Sequence, residues 1–445
     1  MSSCCRLSCI KEELSGLFSG LSSSFAEASR IRSSSDRVDA YVSVLRGALS
    51  SSSLCYIGGE LMCWDGRAYV RLSLRDLQIA VSNLLPSVGL GATDIRKIGD
   101  MPYSVIYERS MDEDTGAVSF TDCMYDISSG TRLGHDASRS VTYELGYPLG
   151  DGGCSEWERF LSEVLPDADE RACLQEFFGM CFVDRGRLSV EKMAMLIGSG
   201  SNGKSVVFDV MKGVLGADRV SYMSPDQLIN EKSLVNVRGK VLNFSPDIRR
   251  GASFDSGLKA LASSQDVQGW ELYKGAVVVR CPPIVFAFNE LPRFRDVTDA
   301  FFRRVLPFGF DVVIPHHRQD RGLAARIVAK EAGGVFLWMM EGRKRLVANG
   351  GAFTPCRKID GMIAEMKGLV RSVECPVRDW LDSSCWSERA ADKGQKPERV
   401  YVSDVFDALG GEVPKDAITR EMTSMGVRSG RGDERYFYLY RRKEK

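Results

Sequence analysis

The stretch MAMLIGSGSNGKSVVFDVM, residues 193–211, decides the reading of this chain. A short apolar run ends at Gly198, the octet GSGSNGKS follows, and SVVFDVM reads as a helix start. The octet fits G-x-x-x-x-G-K-[ST], the phosphate-binding loop. Gly198, Gly200 and Gly203 let the backbone curl until its N–H groups face phosphate oxygens. Ser199, Ser201, Asn202 and Val206 complete the expected loop. Lys204 is expected to reach the β- and γ-phosphates and the Ser205 hydroxyl to ligate Mg²⁺. A helix from about Lys204 to Lys212 would aim the positive end of its dipole at the anion. The alternative, a glycine-rich turn, does not account for the strand–loop–helix setting. The expected ligands are therefore ATP and Mg²⁺.

Hydrolysis needs more than this loop. Mg²⁺ takes a carboxylate from the end of a neighbouring strand, and KVLNFSPDI (240–248) supplies Asp247. A third apolar run, IVFAF (284–288), ends in Asn289. That amide either holds the attacking water or caps the turn before Leu291-Pro292. In RFRDVTDAFFRRVLPFGF (293–310), Arg303 and Arg304 sit among aromatics before an apolar run. They pair with acids such as Asp296 and Asp299, or one of them reaches the γ-phosphate of a neighbouring subunit. QDVQGWELYKGAVVVRCPP (265–283) reads as a β-hairpin over Trp270 to Val279, with Tyr273 and Lys274 near its tip. A lysine beside an aromatic suits a nucleic-acid strand, but by chemistry alone the better reading is a plain surface hairpin.

Composition sets outer limits. At 445 residues, 44% hydrophobic and 27% charged, the chain has apolar residues for two to four domains. Its formal net charge is zero, so any nucleic-acid contact must use local basic surfaces. The longest apolar runs, such as VFLWMM (335–340), are too short to span a bilayer, and MSSCCRLSCIKEELSGL lacks a signal-peptide layout. The 13 cysteines are scattered, as expected of free thiols in a reducing cytoplasm, and with three histidines a histidine-based metal site is not expected.

The chain is expected to be α/β, in consecutive segments. Residues 1–118 are a mixed α+β region of unassigned role, with helical stretches such as 41–49, a β-meander at 54–72 and an amphipathic helix at 74–85. Residues 119–190 form a lead-in, with strands before helices at 157–165 and 170–182. Residues 191–350 alternate strands and helices up to about 311, as in a doubly wound parallel sheet, and turn helical over 318–350. Residues 351–394 connect to a tail, 395–445, that reads as a helix followed by a hairpin.

The order GSGSNGKS, LNFSPDI, hairpin, PPIVFAFNELP, DAFFRRVLPFGF resembles the superfamily 3 helicases. It is most similar to the C-terminal helicase domain of the phage and plasmid primase family, which also covers the poxvirus primase-helicase. The lead-in over 125–182 resembles that family too. The resemblance implies a hexameric AAA+ ring moving along single-stranded or forked DNA, 3′ to 5′, in replication of a phage or mobile element, inside the host cell. It implies phosphate and Mg²⁺ roles for Lys204 and Ser205, a Walker B role for Asp247, a sensor role for Asn289 and pore contacts for Tyr273 and Lys274. Of the two arginines it favours Arg304 as the finger, because Arg304 directly precedes Val305. The tail DAITREMTSMGVRSGRGDERYFYLYRRKEK (416–445) resembles a winged helix, with Arg428, Arg431, Arg435, Arg441 and Arg442 available to a DNA backbone.

There are two departures. Relatives carry a glutamate or two acids where this chain has Ser245-Pro246-Asp247, so the general base is unassigned. The early acidic cluster Asp112-Glu113-Asp114 has no matching histidine, so a primase is expected, if anywhere, on another chain. The rival readings are a replication initiator that melts an origin, a non-hydrolysing DNA-binding assembly, and a small-molecule kinase.

Overall fold

Parallel strands cannot be joined by tight turns, so their connections cross over and cover both sheet faces. The computed structural model describes residues 21–33, 36–37, 39–44, 54–73, 110–184, 186–246, 248, 261–263, 266–271, 275–289, 299–374, 376–387, 395–411 and 413–441. The helix expected over 74–85 lies outside them.

Helix α1 (Ser22–Ser29) precedes β1 (Leu54–Ile57), β2 (Glu60–Trp64), β3 (Tyr69–Arg71) and β4 (Ser110–Met111), one sheet ordered β3-β2-β1-β4. The β1–β3 meander turns where the Gly pair demands it: Gly58 and Gly59 have φ of +59° and +80°. β5 (Ala117–Ser119), β6 (Met124–Asp126) and β7 (Thr131–Leu133) form a second antiparallel sheet. Arg139 clamps it, with Nε 2.6 Å from Asp114 and Nη1 3.0 Å from Asp126. Asp114, from the early acidic cluster, therefore does structural work here.

α2 (Ser155–Val164) and α3 (Ala168–Gly179) lead to β8 (Met193–Ile197) and α4 (Lys204–Leu215). β9 (Val220–Ser221), α5 (Pro225–Leu228), α6 (Glu231–Leu234), β10 (Leu242–Ser245), the hairpin of β11 (Asp266–Glu271) and β12 (Gly275–Arg280), β13 (Ile284–Phe288), α7 (Asp299–Phe302) and β14 (Val305–Gly309) follow. α8 (Leu323–Ala348) and α9 (Arg357–Glu374) come next. β14, β8, β13, β10 and β9, in that order, make a five-stranded sheet in which every pairing is parallel. β8, β13 and β14 are buried along their whole length, the mark of strands covered on both faces. Buried Asn243 stitches β10 to the next segment, accepting from Met223 N at 2.9 Å and from the Ser221 hydroxyl at 2.8 Å.

α3 carries two fully buried carboxylates. Glu170 accepts from Gly309 N at 2.6 Å and from Lys358 Nζ at 3.0 Å; Lys358 also donates to Gly309 O at 2.9 Å. Burial raises the pKa of Glu170 against the pull of those donors. Burial works against the Lys358 ammonium, but its hydrogen bonds to the Asp311 and Glu170 carboxylates outweigh it and raise its pKa. Glu176 accepts from Arg345 Nε at 2.6 Å and from Thr354 N at 2.8 Å.

α10 (Pro376–Ser383), β15 (Trp386–Ser387), β16 (Glu398–Tyr401), α11 (Val402–Ala408), α12 (Lys415–Ser424), β17 (Ser429–Arg431) and β18 (Arg435–Arg441) complete the chain. Val377 and Leu381 of α10 share one core with Val400, Ile418, Phe437 and Leu439. The module therefore starts earlier than 395, because its first helix is needed to close its core. By contacts the chain divides into one unit of residues 1–158, 209–217 and 322–341 and another of 159–208, 218–321 and 342–445, which interleave along the sequence.

Removing the cation from a buried pair strands the anion. Lys358→Met is expected to cost about 3 kcal/mol in urea unfolding, whereas Lys330→Met, at an exposed position, should cost under ~0.5 kcal/mol.

Candidate nucleotide-binding site

In a parallel sheet every strand delivers its carboxyl end to the same edge, where ligands of open α/β sheets bind. β8 ends there in the glycine-rich loop, β13 in Asn289, β10 in Ser245 and β14 in Gly309. The loop is stitched to its neighbours: Gly198 N donates to Phe288 O at 3.1 Å, Phe310 N to Ile197 O at 2.7 Å, and Ile314 N to Ser201 O at 2.8 Å. Gly198 must be glycine, since a Cβ would lie 2.4 Å from the Phe310 carbonyl oxygen. Gly200 and Gly203 have φ of +104° and +90°. Ser201, at φ +52°, is the sole non-glycine residue with positive φ among the described residues. A strained residue of this kind concentrates at ligand sites.

Lys204 opens α4 and is 8% exposed. Its ammonium meets only neutral oxygens among the described residues, Gly198 O at 2.5 Å and Asn202 Oδ1 at 3.0 Å. Burial lowers its pKa. A desolvated cation without an anion is costly, and here it lies beside the unpaired N–H groups that open any helix. The arrangement suits a polyanion. Asn202, itself 2% exposed, also donates to Phe310 O at 2.9 Å, so its amide bridges the lysine to the end of β14. Ser199, Ser201 and Ser205 are exposed at the loop rim.

The other expected residues divide. Asn289 is exposed at the tip of β13, one residue after the carbonyl that holds Gly198. Asp247 lies outside the described residues; its neighbour Ile248 donates to Ala287 O at 3.4 Å. Tyr273 and Lys274 also lie outside them, but the arms of their hairpin are described. One face of the hairpin packs Val267, Val277 and Val279 onto the core, and the other presents Trp270, 50% exposed, and Val278, 70% exposed.

Arg303 and Arg304 lie at the opposite edge of the sheet. Arg304 O accepts from Met193 N, at the amino end of β8. Four strand steps, roughly 13 Å, separate that point from the loop of the same chain. The Arg304 guanidinium is engaged at home: Glu191 at 2.7 Å, the Ser263 hydroxyl at 2.8 Å and Ala300 O at 2.8 Å. Its expected partner Asp299 instead pairs with Lys367 at 2.7 Å, and Asp296 is outside the described residues. Arg303 has the exposed side chain.

No family model matches the chain. In sequence it is similar to the protein named "Putative helicase L207/L206" of Acanthamoeba polyphaga mimivirus, 24% identical over 239 residues. The match takes in 48% of this chain and 24% of that protein, so the chain spans about a quarter of its relative's length. In fold it resembles the apo C-terminal region of NrS-1, with a TM-score of 0.50 at 11% identity over 88% of this chain and 96% of that one. No helix among the described residues is long and apolar enough to cross a membrane, and no described cluster of His, Cys, Asp and Glu could by itself hold a metal ion.

In the C-terminal module, Arg428, Arg431, Arg435 and Arg441 are exposed, and Arg442 lies outside the described residues. Arg431 and Arg435 face each other directly across β17 and β18. Like charges so placed cost stability, which a bound polyanion would offset. Sequence reasoning missed the Glu191 and Asn202 contacts, both made across long loops, and the role of Glu170 behind the β14 end.

Lys204→Met removes a buried charge that meets only neutral oxygens among the described residues. The empty variant is expected to unfold at the same temperature as wild type or higher, by up to ~1 kcal/mol. ATP at a hundred times its Kd should stabilise wild type by about 2.7 kcal/mol and the variant not at all, read by thermal unfolding with and without nucleotide.

Proposed function

We propose that the chain is an ATP-driven DNA helicase subunit whose nucleotide site is completed by a neighbouring subunit. The observation that carries this reading is the buried Lys204 at the head of α4, which meets only neutral oxygens among the described residues, set in a positive-φ loop at the carboxyl edge of a parallel sheet. The order β14-β8-β13-β10-β9 supports the AAA+ assignment, because it sets the Asn289 strand between the loop strand and the strand leading to Asp247. The helicase-like sequence relative supports the substrate class.

In this account the loop N–H groups, Lys204 and Ser205 hold ATP, and Ser205 with Asp247 holds Mg²⁺, which would neutralise charge on the phosphates. Asn289 orients the attacking water. A neighbour's Arg303 supplies the charge that stabilises the transition state, while Arg304 braces the segment that carries it. The Tyr273–Lys274 hairpin contacts the strand being moved, and Arg428 and Arg431 contact DNA backbone through a winged-helix arrangement of α10, β16, α11, α12, β17 and β18. The assembly is a ring, hexameric by family resemblance, with 3′ to 5′ movement and a role in phage or mobile-element replication, in the cytoplasm of the host cell.

A single acid at the end of β10 makes a non-hydrolysing assembly the second reading. Steady-state ATP hydrolysis by wild type and Lys204→Ala, with and without single-stranded DNA, separates them. The helicase reading expects DNA-stimulated turnover that falls at least about a hundredfold in the variant. ATP binding without turnover in wild type would replace it by the second reading.

A further inference from the structure

β18 alternates. Phe437 and Leu439 are fully buried in the module core, so Tyr436, Tyr438 and Tyr440 stand on the other face of the sheet. The register builds two rows on that face. In one, Tyr438 lies between Arg399 of β16 and Arg428, whose carbonyl accepts from Tyr438 N. In the next, Tyr436 lies between Tyr401 of β16 and Gly430 of β17. Gly430 has to be glycine: a Cβ there would lie 2.4 Å from the Tyr436 ring, which rests against the strand backbone. The Arg399 guanidinium sits 4.7 Å from the centroid of the same ring. Tyr401 and Tyr438 meet Tyr436 edge to face, at 5.9 Å and 5.4 Å. Tyr401 is 40% exposed.

Cross-strand aromatic pairs stiffen many sheets, and that alone would explain the rings. It does not explain the charges. Arg399 and Arg428 are exposed, and the partners of Arg399 among the described residues are the Tyr436 ring and Tyr438, not a carboxylate. The nearby acids are occupied elsewhere. Glu434 takes Ser403 and Lys415, and Asp404 accepts from Tyr401 N at the head of α11. Aromatic rings flanked by guanidinium groups that meet no carboxylate among the described residues suit single-strand recognition: π-faces for bases and cations for the backbone.

We propose that this sheet face, Tyr401, Tyr436 and Tyr438 with Arg399 and Arg428, binds single-stranded nucleic acid. Bases stack on the Tyr401 ring and on the outer plane of the Arg399 guanidinium. Arg428 and Arg399 take the adjoining phosphates. The site is separate from the phosphate loop and from the β11–β12 hairpin; with the proposed function it shares Arg428 and the class of ligand, and it adds Arg399 and the tyrosine face to them. It needs no ATP.

The test is binding of a fluorescein-labelled twenty-residue oligothymidylate to the full chain without nucleotide, by anisotropy across a salt series. Tyr401→Ala should weaken binding about tenfold with an unchanged salt slope, and Tyr401→Phe should retain it. Arg399→Ala and Arg428→Ala should each weaken binding and lower the slope by roughly 0.7. If Tyr401→Ala lowers the unfolding temperature, Arg399→Glu, on an exposed side chain, takes its place. Wild-type affinity in Tyr401→Ala and Arg399→Glu would overturn the proposal, as would no binding by wild type. Binding lost on changing Tyr273 and Lys274 but not this face would also overturn it, while leaving the helicase reading intact. ATP hydrolysis that fails although this face binds would do the reverse.

Discussion

One desolvated ammonium organises the carboxyl edge of the parallel sheet. Lys204 is held between two neutral oxygens, and burial already lowers its pKa. A cation in that setting is stable only because the fold over-determines its place. The helix behind it is fixed, Gly198 admits no side chain, and Asn202 ties it to the end of β14. Negative charge would complement both this ammonium and the helix N-terminus beside it.

The strain and cost at the loop are supported from behind. Glu170 and Lys358 close on both polar groups of Gly309, the residue before the Phe310 carbonyl that Asn202 holds. A buried carboxylate on α3 therefore acts on the loop through three successive contacts, Glu170 to Gly309, Phe310 to Asn202, Asn202 to Lys204. Across the sheet, Arg304 is fixed by Glu191, Ser263 and Ala300, so the adjacent Arg303 leaves a rigid base. The sheet thus holds a phosphate-seeking edge and an arginine-bearing edge about a strand's length apart. In the proposed ring, a neighbouring copy would bring its arginine edge to this loop.

Much of this was legible in the sequence because its signals are local. The phosphate loop is contiguous, the β1–β3 turns announce themselves as Gly58-Gly59 and Asp65-Gly66, and the hairpin at 266–280 alternates. What was not legible depends on distant partners. In the sequence nothing distinguishes Glu170 and Glu176 from the other acids of their helix, yet they are buried, with Lys358 and Arg345 brought to them. The preference for Arg304 rested on its neighbour in sequence, Val305; its actual environment is set by Glu191, far away in the chain. The tail reads from about 395 as a helix followed by a hairpin, whereas its core reaches back to Val377. The aromatic face of β18 was read as one strand of a hairpin, since its second partner, β16, is separated from it by two helices.

The account stands or falls on whether Arg303 acts across a subunit boundary. The direct measurement is ATP hydrolysis by mixtures of two inactive variants, Lys204→Ala, which keeps the arginine, and Arg303→Ala, which keeps the loop. If each site takes its lysine from one chain and its arginine from the next, random mixing restores about a quarter of the sites, and activity returns in the mixture alone. Activity that stays absent in the mixture, while both variants still assemble with wild type, would contradict the account, as would full activity in Arg303→Ala by itself.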